Sequence, residues 1–423
     1  MKVTWILVPF GLAVSLLNAA DPADPADRVD VTSLDGKVVC GYQGWFRCEG
    51  DGTDNGWHHY AVNGNFEPGS AHIEMWPDVS ELPAEERFAT PFRHADGSTA
   101  EVFSSAREPV VRMHFRWMQE HGIDGVFLQR FATTARDPRF REPMDRILDF
   151  TKAAAAEQGR GWALMYDLSG IRPGQIATVM QDWRRLIRAG RLDRENDGSY
   201  FRHLGKPLVA LWGLGFSDRA PMLDEWEQLI DFLRDDPECG GMALMLGVPY
   251  YWRTLDHDAI PDPTLHRLLA KADIISPWSV GRLATTQDAA NRVDARLKPD
   301  LARAAELGTD YLPVLFPGFS WTNLSKSRGE EAVFDVIPRR GGGFLWSQAV
   351  AAKQAGAEML YLAMFDELDE GTAIFKTRSD PPVGASRFLA EPGLAPDHYL
   401  RLAGSIGKLL RGEIPETFPG AVR

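Results

Sequence analysis

A chain of 423 residues, 44% hydrophobic, 10% aromatic and 25% charged, has material for a large core, which excludes an intrinsically disordered protein. Its 59 acidic residues outnumber 46 basic ones, a net charge of −13, and this argues against nucleic acid as a partner, which requires a basic surface. Three cysteines, Cys40, Cys48 and Cys239, are too few for a disulfide framework and leave open only a weakly indicated Cys40–Cys48 bridge.

The chain starts with one positive charge at Lys2, an apolar run from Trp5 to Leu17, and small residues at Ala19 and Ala20. This pattern predicts a signal peptide over residues 1–20, cleaved to give a secreted or periplasmic protein. The run is short for a membrane span, which disfavours the alternative of a permanent anchor, and the mature chain is expected to have no span. Cleavage removes Lys2 alone, so 46 basic residues become 45 against 59 acidic ones. Residues 21–34, beginning DPADPAD, read as a linker.

From there eight short apolar runs follow: 38–46, 124–131, 162–169, 207–215, 242–252, 273–281, 311–319 and 359–367. They barely alternate, which marks parallel strands covered on both faces. Helical patterns lie between them, over Glu108–His121, Pro143–Glu157, Gln175–Ala189, Met222–Asp235, Thr285–Lys298 and Leu345–Ala355. In HGIDGVFL, EQGRGWALM and QAGAEMLYL a glycine stops a helix shortly before the next strand. Eight such alternations predict a single (β/α)8 barrel over residues 35–415, closed by an amphipathic helix in DHYLRLAGSIGKLLRGE. An open doubly wound sheet is the alternative, weakened by the lack of a G-x-G-x-x-G turn after the first strand. Residues 47–107, rich in Gly, His, Trp and Pro, are too long for a connection and read as an insertion over the barrel mouth.

Active sites of such barrels lie at the C-terminal strand ends. There the sequence places Tyr42, Gln43 and Trp45, then Gln129 and Arg130, Tyr166 and Asp167, Trp212, Tyr250, Tyr251 and Trp252, Trp278, and Trp321. The last run ends in four carboxylates, Asp366, Glu367, Asp369 and Glu370. Aromatic faces stack on sugar rings while carboxylates and amides bind hydroxyls, so the expected partner is an oligo- or polysaccharide. Two carboxyls about 5–5.5 Å or about 6.5–9.5 Å apart suffice for retaining or inverting glycoside cleavage. Two glutamates three apart reach either range. The alternatives are a solvated acidic loop for Glu367 and Glu370, a structural pairing of Asp366 or Asp369 with Arg130, and a helix cap for Asp167. His58, His59, His72 and Glu74 match no standard ligand spacing, so neither metal nor another cofactor is expected, and these residues are expected to line the substrate cleft or to have no role.

FDELDEGT, residues 365–372, resembles the F-N-E-W-H-E-G-T signature of glycoside hydrolase family 99, the endo-α-mannosidases and endo-α-mannanases, related to the family 71 α-1,3-glucanases. GYQGWF, residues 41–46, is similar to the G-Y-x-x-W first strand of that group. Asp366, Leu368 and Asp369 stand where the signature has Asn, Trp and His, which places the chain in a family 71/99-like branch. The resemblance implies a retaining hydrolase, endo-acting on an α-linked glycan. Glu367 would deprotonate the sugar 2-hydroxyl, which attacks C1 to give a 1,2-anhydro sugar, and Glu370 would act as acid and then base. Glu370 is then expected to hold a proton while Glu367 is ionised. A monomer is expected; a binding protein on a degenerate barrel and a metal-dependent barrel hydrolase are the competing readings.

Overall fold

The computed structural model describes residues 27–420, so the predicted signal peptide and the start of the linker lie outside the described residues. The linker's second half is attached to the protein body. Val29 N donates to Gly159 O at 2.9 Å, Arg202 N donates to Val31 O at 2.7 Å, and Leu34 is buried.

All eight expected strands form: β1 (Val38–Tyr42), β2 (Gly125–Phe131), β3 (Gly161–Asp167), β4 (Lys206–Trp212), β5 (Ala243–Val248), β6 (Ile274–Pro277), β7 in two pieces (Asp310–Tyr311 and Val314–Leu315) and β8 (Leu360–Leu362). Each pairs in parallel with its neighbour from β1 to β6, and β1 also pairs with β8 in the register Val39↔Tyr361. The first piece of β7 pairs with β6 and the second with β8, which closes the barrel. Pro313 lies between the pieces and has no N–H to give a ladder, the physical reason for the break.

Helices α1 (Glu108–His121) and α2 (Pro138–Gln158) end at Gly122 and Gly159, whose φ values of 71° and 61° are open to glycine at little cost. Helix α2 begins earlier than its interior Pro143 predicts, because Asp137 caps it by accepting from Arg139 N at 3.0 Å, with Pro138 at the first position. The remaining outer helices are α3 (Ala177–Arg188), α4 (Leu223–Asp235), α5 (Thr264–Leu269), α6 (Thr286–Arg292), α7 (Lys298–Leu307), α8 (Thr322–Ser327), α9 (Gly343–Ala355) and α10 (His398–Leu410). A π turn over Val293–Leu297 joins α6 to α7, so helix continues past the expected end at Lys298.

The insertion carries a hairpin, Phe88–Arg93 with Thr99–Val102, and packs on the segment that follows β8. Bridges join Met75 to Leu389, Pro77 to Thr377 and Arg93 to Val383. Cys40, Cys48 and Cys239 are all free thiols, so the Cys40–Cys48 bridge does not form.

Candidate active site

The turn after β8 carries the four carboxylates, and the barrel's closure places it against the end of β1. Asp366 is buried and accepts from Gln43 N at 2.7 Å and Gly44 N at 2.9 Å. It therefore staples the first strand's loop to the last one's, and does not pair with Arg130. Glu367 accepts from Gln43 Nε2 at 2.5 Å and from Asp369 N at 3.1 Å. Asp369 Oδ2 lies 2.8 Å from His59 Nδ1. The His59 ring stacks on Trp45, with centroids 3.7 Å apart and planes 9° from parallel, and Trp45 stacks in turn on Phe131 at 5.1 Å. Glu370 is the member of the four that is only half-buried, and among the described residues its carboxyl receives no hydrogen bond. Its backbone carbonyl accepts from Ser320 N at 3.0 Å, in the loop after β7.

These surroundings favour protons on the carboxyls. Burial pushes Asp366 up to about 7, against the two amides that bind it. Burial also raises Glu367, with the charges of Asp369, Glu370 and Asp366 adding and the Gln43 amide opposing. Asp369 is raised by burial, offset by His72 and Arg328, and Glu370 is raised by burial and by Asp369. The sequence expectation set a protonated Glu370 against an ionised Glu367; burial raises the proton affinity of both, and of Asp366 and Asp369 with them. The difference between the two glutamates lies in their donors, two on Glu367 and none on Glu370. His59 is held neutral, its proton affinity pushed down to about 3 by burial and by His72 and Arg47.

Beside this cluster a cavity of about 240 Å³ opens between the ends of β1 and β2 and helix α2, with Gln43, Trp45, His59, Gln129, Phe131 and Met144 in its wall. A single buried water needs only about 15 Å³. Gln43 Oε1, Trp45 Nε1 and Arg47 Nε, all from residues of this wall, are buried and have no partner among the described residues. Gln129 Oε1 is a fourth such atom, and all four are shut off from the cavity, whose wall presents the aromatic faces of Trp45 and Phe131.

Other candidates from the sequence divide by strand parity. Trp212 and Trp278 meet edge to face at 5.2 Å, and Trp278 lies 6.3 Å from Tyr361 of β8. Trp321 sits beside Phe319 at 5.7 Å, in the loop that holds Glu370. Gln129 approaches Met364 Sδ at 4.0 Å. Asp167 accepts from Ser169 N at 2.7 Å, the local turn closure, and burial raises its carboxyl.

Five candidates are corrected. The Tyr42 hydroxyl contacts His114 Nδ1 at 2.9 Å in the space between β1 and α1. Arg130 donates to Asp182 at 2.5 Å and to Asp145 at 2.8 Å, and Tyr166 donates to the same Asp182 at 2.7 Å. All three point out of the barrel toward the helices. Trp252 is fully buried edge-on to His266, and Tyr250 is buried against Tyr251 and the guanidinium of Arg296.

The sequence reading gives His59 and Glu74 as cleft lining or as without a role; both touch the turn, His59 through Asp369 and Glu74 through Leu368 O, which accepts from Glu74 N at 2.8 Å. No group of three His, Cys, Asp or Glu side chains suited to a metal occurs among the described residues.

The molecule is a (β/α)8 barrel with a carboxylate cluster at its C-terminal mouth, and its fold is that of the family 99 glycoside hydrolases. The structure of the GH99 endo-α-mannosidase from Bacteroides thetaiotaomicron matches it with a TM-score of 0.64 at 15% identity, over 90% of this chain and 99% of that one. The same enzyme in complex with Bis-Tris-propane matches with a TM-score of 0.62 at 16% identity and the same coverage. The likeness is one of fold. No protein-family model matches the chain, and no curated protein matches it in sequence.

Proposed function

We propose that the protein is a retaining glycoside hydrolase, exported and monomeric, that cleaves within an α-linked glycan. The observation that carries this reading is the pair Glu367 and Glu370 on the turn after β8, one fixed by two donors and buried, the other half-open and free of donors. A likeness in fold to the mannosidase supports it, and so do the tryptophans at the mouth. Export draws its support from the N-terminal sequence pattern alone.

In this reading Glu367 takes the proton of the 2-hydroxyl, whose oxygen attacks C1 as the glycosidic bond breaks. Glu370 gives its proton to the departing oxygen. Glu370 then removes a proton from water, the hydroxide oxygen bonds to C1 as the bond between C1 and the 2-oxygen breaks, and the proton on Glu367 returns to that 2-oxygen. The donors Gln43 Nε2 and Asp369 N favour the ionised form of Glu367 that the base needs, in opposition to its burial, while Glu370, raised by burial and without donors, keeps the proton the acid needs. The cavity beside Gln43 takes one sugar ring of the glycan against Trp45.

Incubation with a panel of purified α-glycans tests the reading. Reducing-end assay and mass analysis should show internal cleavage of one of them, and proton NMR of the fresh product should show the anomeric configuration retained. No cleavage across the panel, or an inverted first product, counts against it.

A further inference from the structure

Glu74 belongs to the insertion, far in sequence from the turn it touches, and is fully buried. Its Oε2 accepts from Ser320 Oγ at 2.6 Å, and its Oε1 accepts from Asn323 N. Asn323 Nδ2 donates back to Ile73 O at 2.8 Å, so insertion and loop are tied twice. Among the described residues no cation pairs with this carboxylate; its donors come from the loop after β7 and the first turn of α8. Burial pushes it up to about 7, with Asp369 and Asp335 adding and Ser320 and Asn323 opposing.

The same few residues hold the backbone of the catalytic turn. Glu74 N donates to Leu368 O at 2.8 Å, and Ser320 N donates to Glu370 O at 3.0 Å. We propose that Glu74 is a positioning residue for Glu370: its carboxylate fixes Ser320, and Ser320 fixes the backbone from which the Glu370 side chain projects. This rests on the reading of Glu370 as the acid and base. The insertion thereby acquires a task in the reaction besides covering the mouth. A buried carboxylate whose acceptors are all engaged transmits position well, since moving Ser320 breaks a charge-assisted bond.

The test is the titration of Glu370, followed by NMR of carboxyl-labelled glutamate in the full chain and assigned through Glu370→Gln. The groups around Glu370 are Asp369, Glu367 and Arg328. In Glu74→Ala the loop loosens and Glu370 gains water, so its midpoint should fall toward the ordinary carboxylate range; Glu74→Gln, which keeps one acceptor, should restore most of the wild-type value. Ser320→Ala, which leaves the backbone ties of Glu74 in place, should move the midpoint in the same direction by less. On a cleaved glycan, Glu74→Ala should lose at least about tenfold in kcat with KM nearly unchanged. If Glu74→Ala does not fold, Ser320→Ala decides. An unmoved Glu370 midpoint in whichever variants fold overturns the proposal. A moved midpoint in a protein that cleaves no glycan upholds the positioning role and rejects the hydrolase reading instead.

Discussion

Asp366 offers the sharpest separation of scaffold from chemistry. In Asp366→Asn one oxygen still accepts from an amide, but the new NH2 faces the N–H of Gln43 or Gly44, which now sit 2.7 and 2.9 Å from the carboxylate. Above about pH 7, where Asp366 is ionised, one buried amide loses its partner and a charge-assisted bond becomes neutral, about 3 kcal/mol in total. With an unfolding entropy of about 2.1 cal/mol/K per residue, that lowers Tm by about 4 °C for a chain of this size. The effect has a defined pH dependence. Because burial raises Asp366 to about 7 in the folded state, the stability linked to it is fully present below its unfolded range near 4 and is lost as pH rises through about 7. The wild type's margin over Asp366→Asn should therefore be widest near pH 4 and shrink toward pH 8. Gln43 also holds Glu367, so kcat should fall about ten- to a hundredfold. Calorimetric melting across that pH range, with rates alongside, is the assay. A margin that widens with pH, or a variant with unchanged Tm and rate, refutes the reasoning.

His59→Ala removes the one side-chain hydrogen-bond partner of Asp369 among the described residues and the stack on Trp45, and should cost about tenfold in kcat/KM, read in steady-state kinetics. Arg130→Met leaves Asp182 and Asp145 with the half-exposed Arg185 as their cation and should destabilise by about 1.5–3 kcal/mol, seen as a lower Tm with KM for the folded enzyme unchanged. Activity should survive excess chelator; loss with EDTA and recovery on adding one metal would require a different mechanism.

The barrel was legible because its strands are buried on both faces and its helices stop at glycines such as Gly122 and Gly159. The same double burial hid parity. A strand with no alternation does not say which residues face inward, so Tyr42, Arg130 and Tyr166 were expected at the mouth although they point at the helices. The carboxylate turn stood out as charge directly behind an apolar run. What positions it did not, because Gln43 and Glu367 are 324 residues apart and meet only through the closure of β1 on β8. His59 and Glu74 carried only the signal of polar residues in an overlong loop, enough to suggest cleft lining but not contact with the turn.

The central claim is that Glu367 and Glu370 divide the chemistry between them. It is tested most directly by comparing Glu367→Gln and Glu370→Gln on the cleaved glycan and on its aryl glycoside with an activated leaving group. Both variants should fold and lose several orders of magnitude on the glycan. The activated substrate should partly rescue Glu370→Gln, which lacks the acid, and should not rescue Glu367→Gln, which lacks the base for the 2-hydroxyl. Near-normal glycan rates in both variants, or rescue of Glu367→Gln alone, would contradict the assignment.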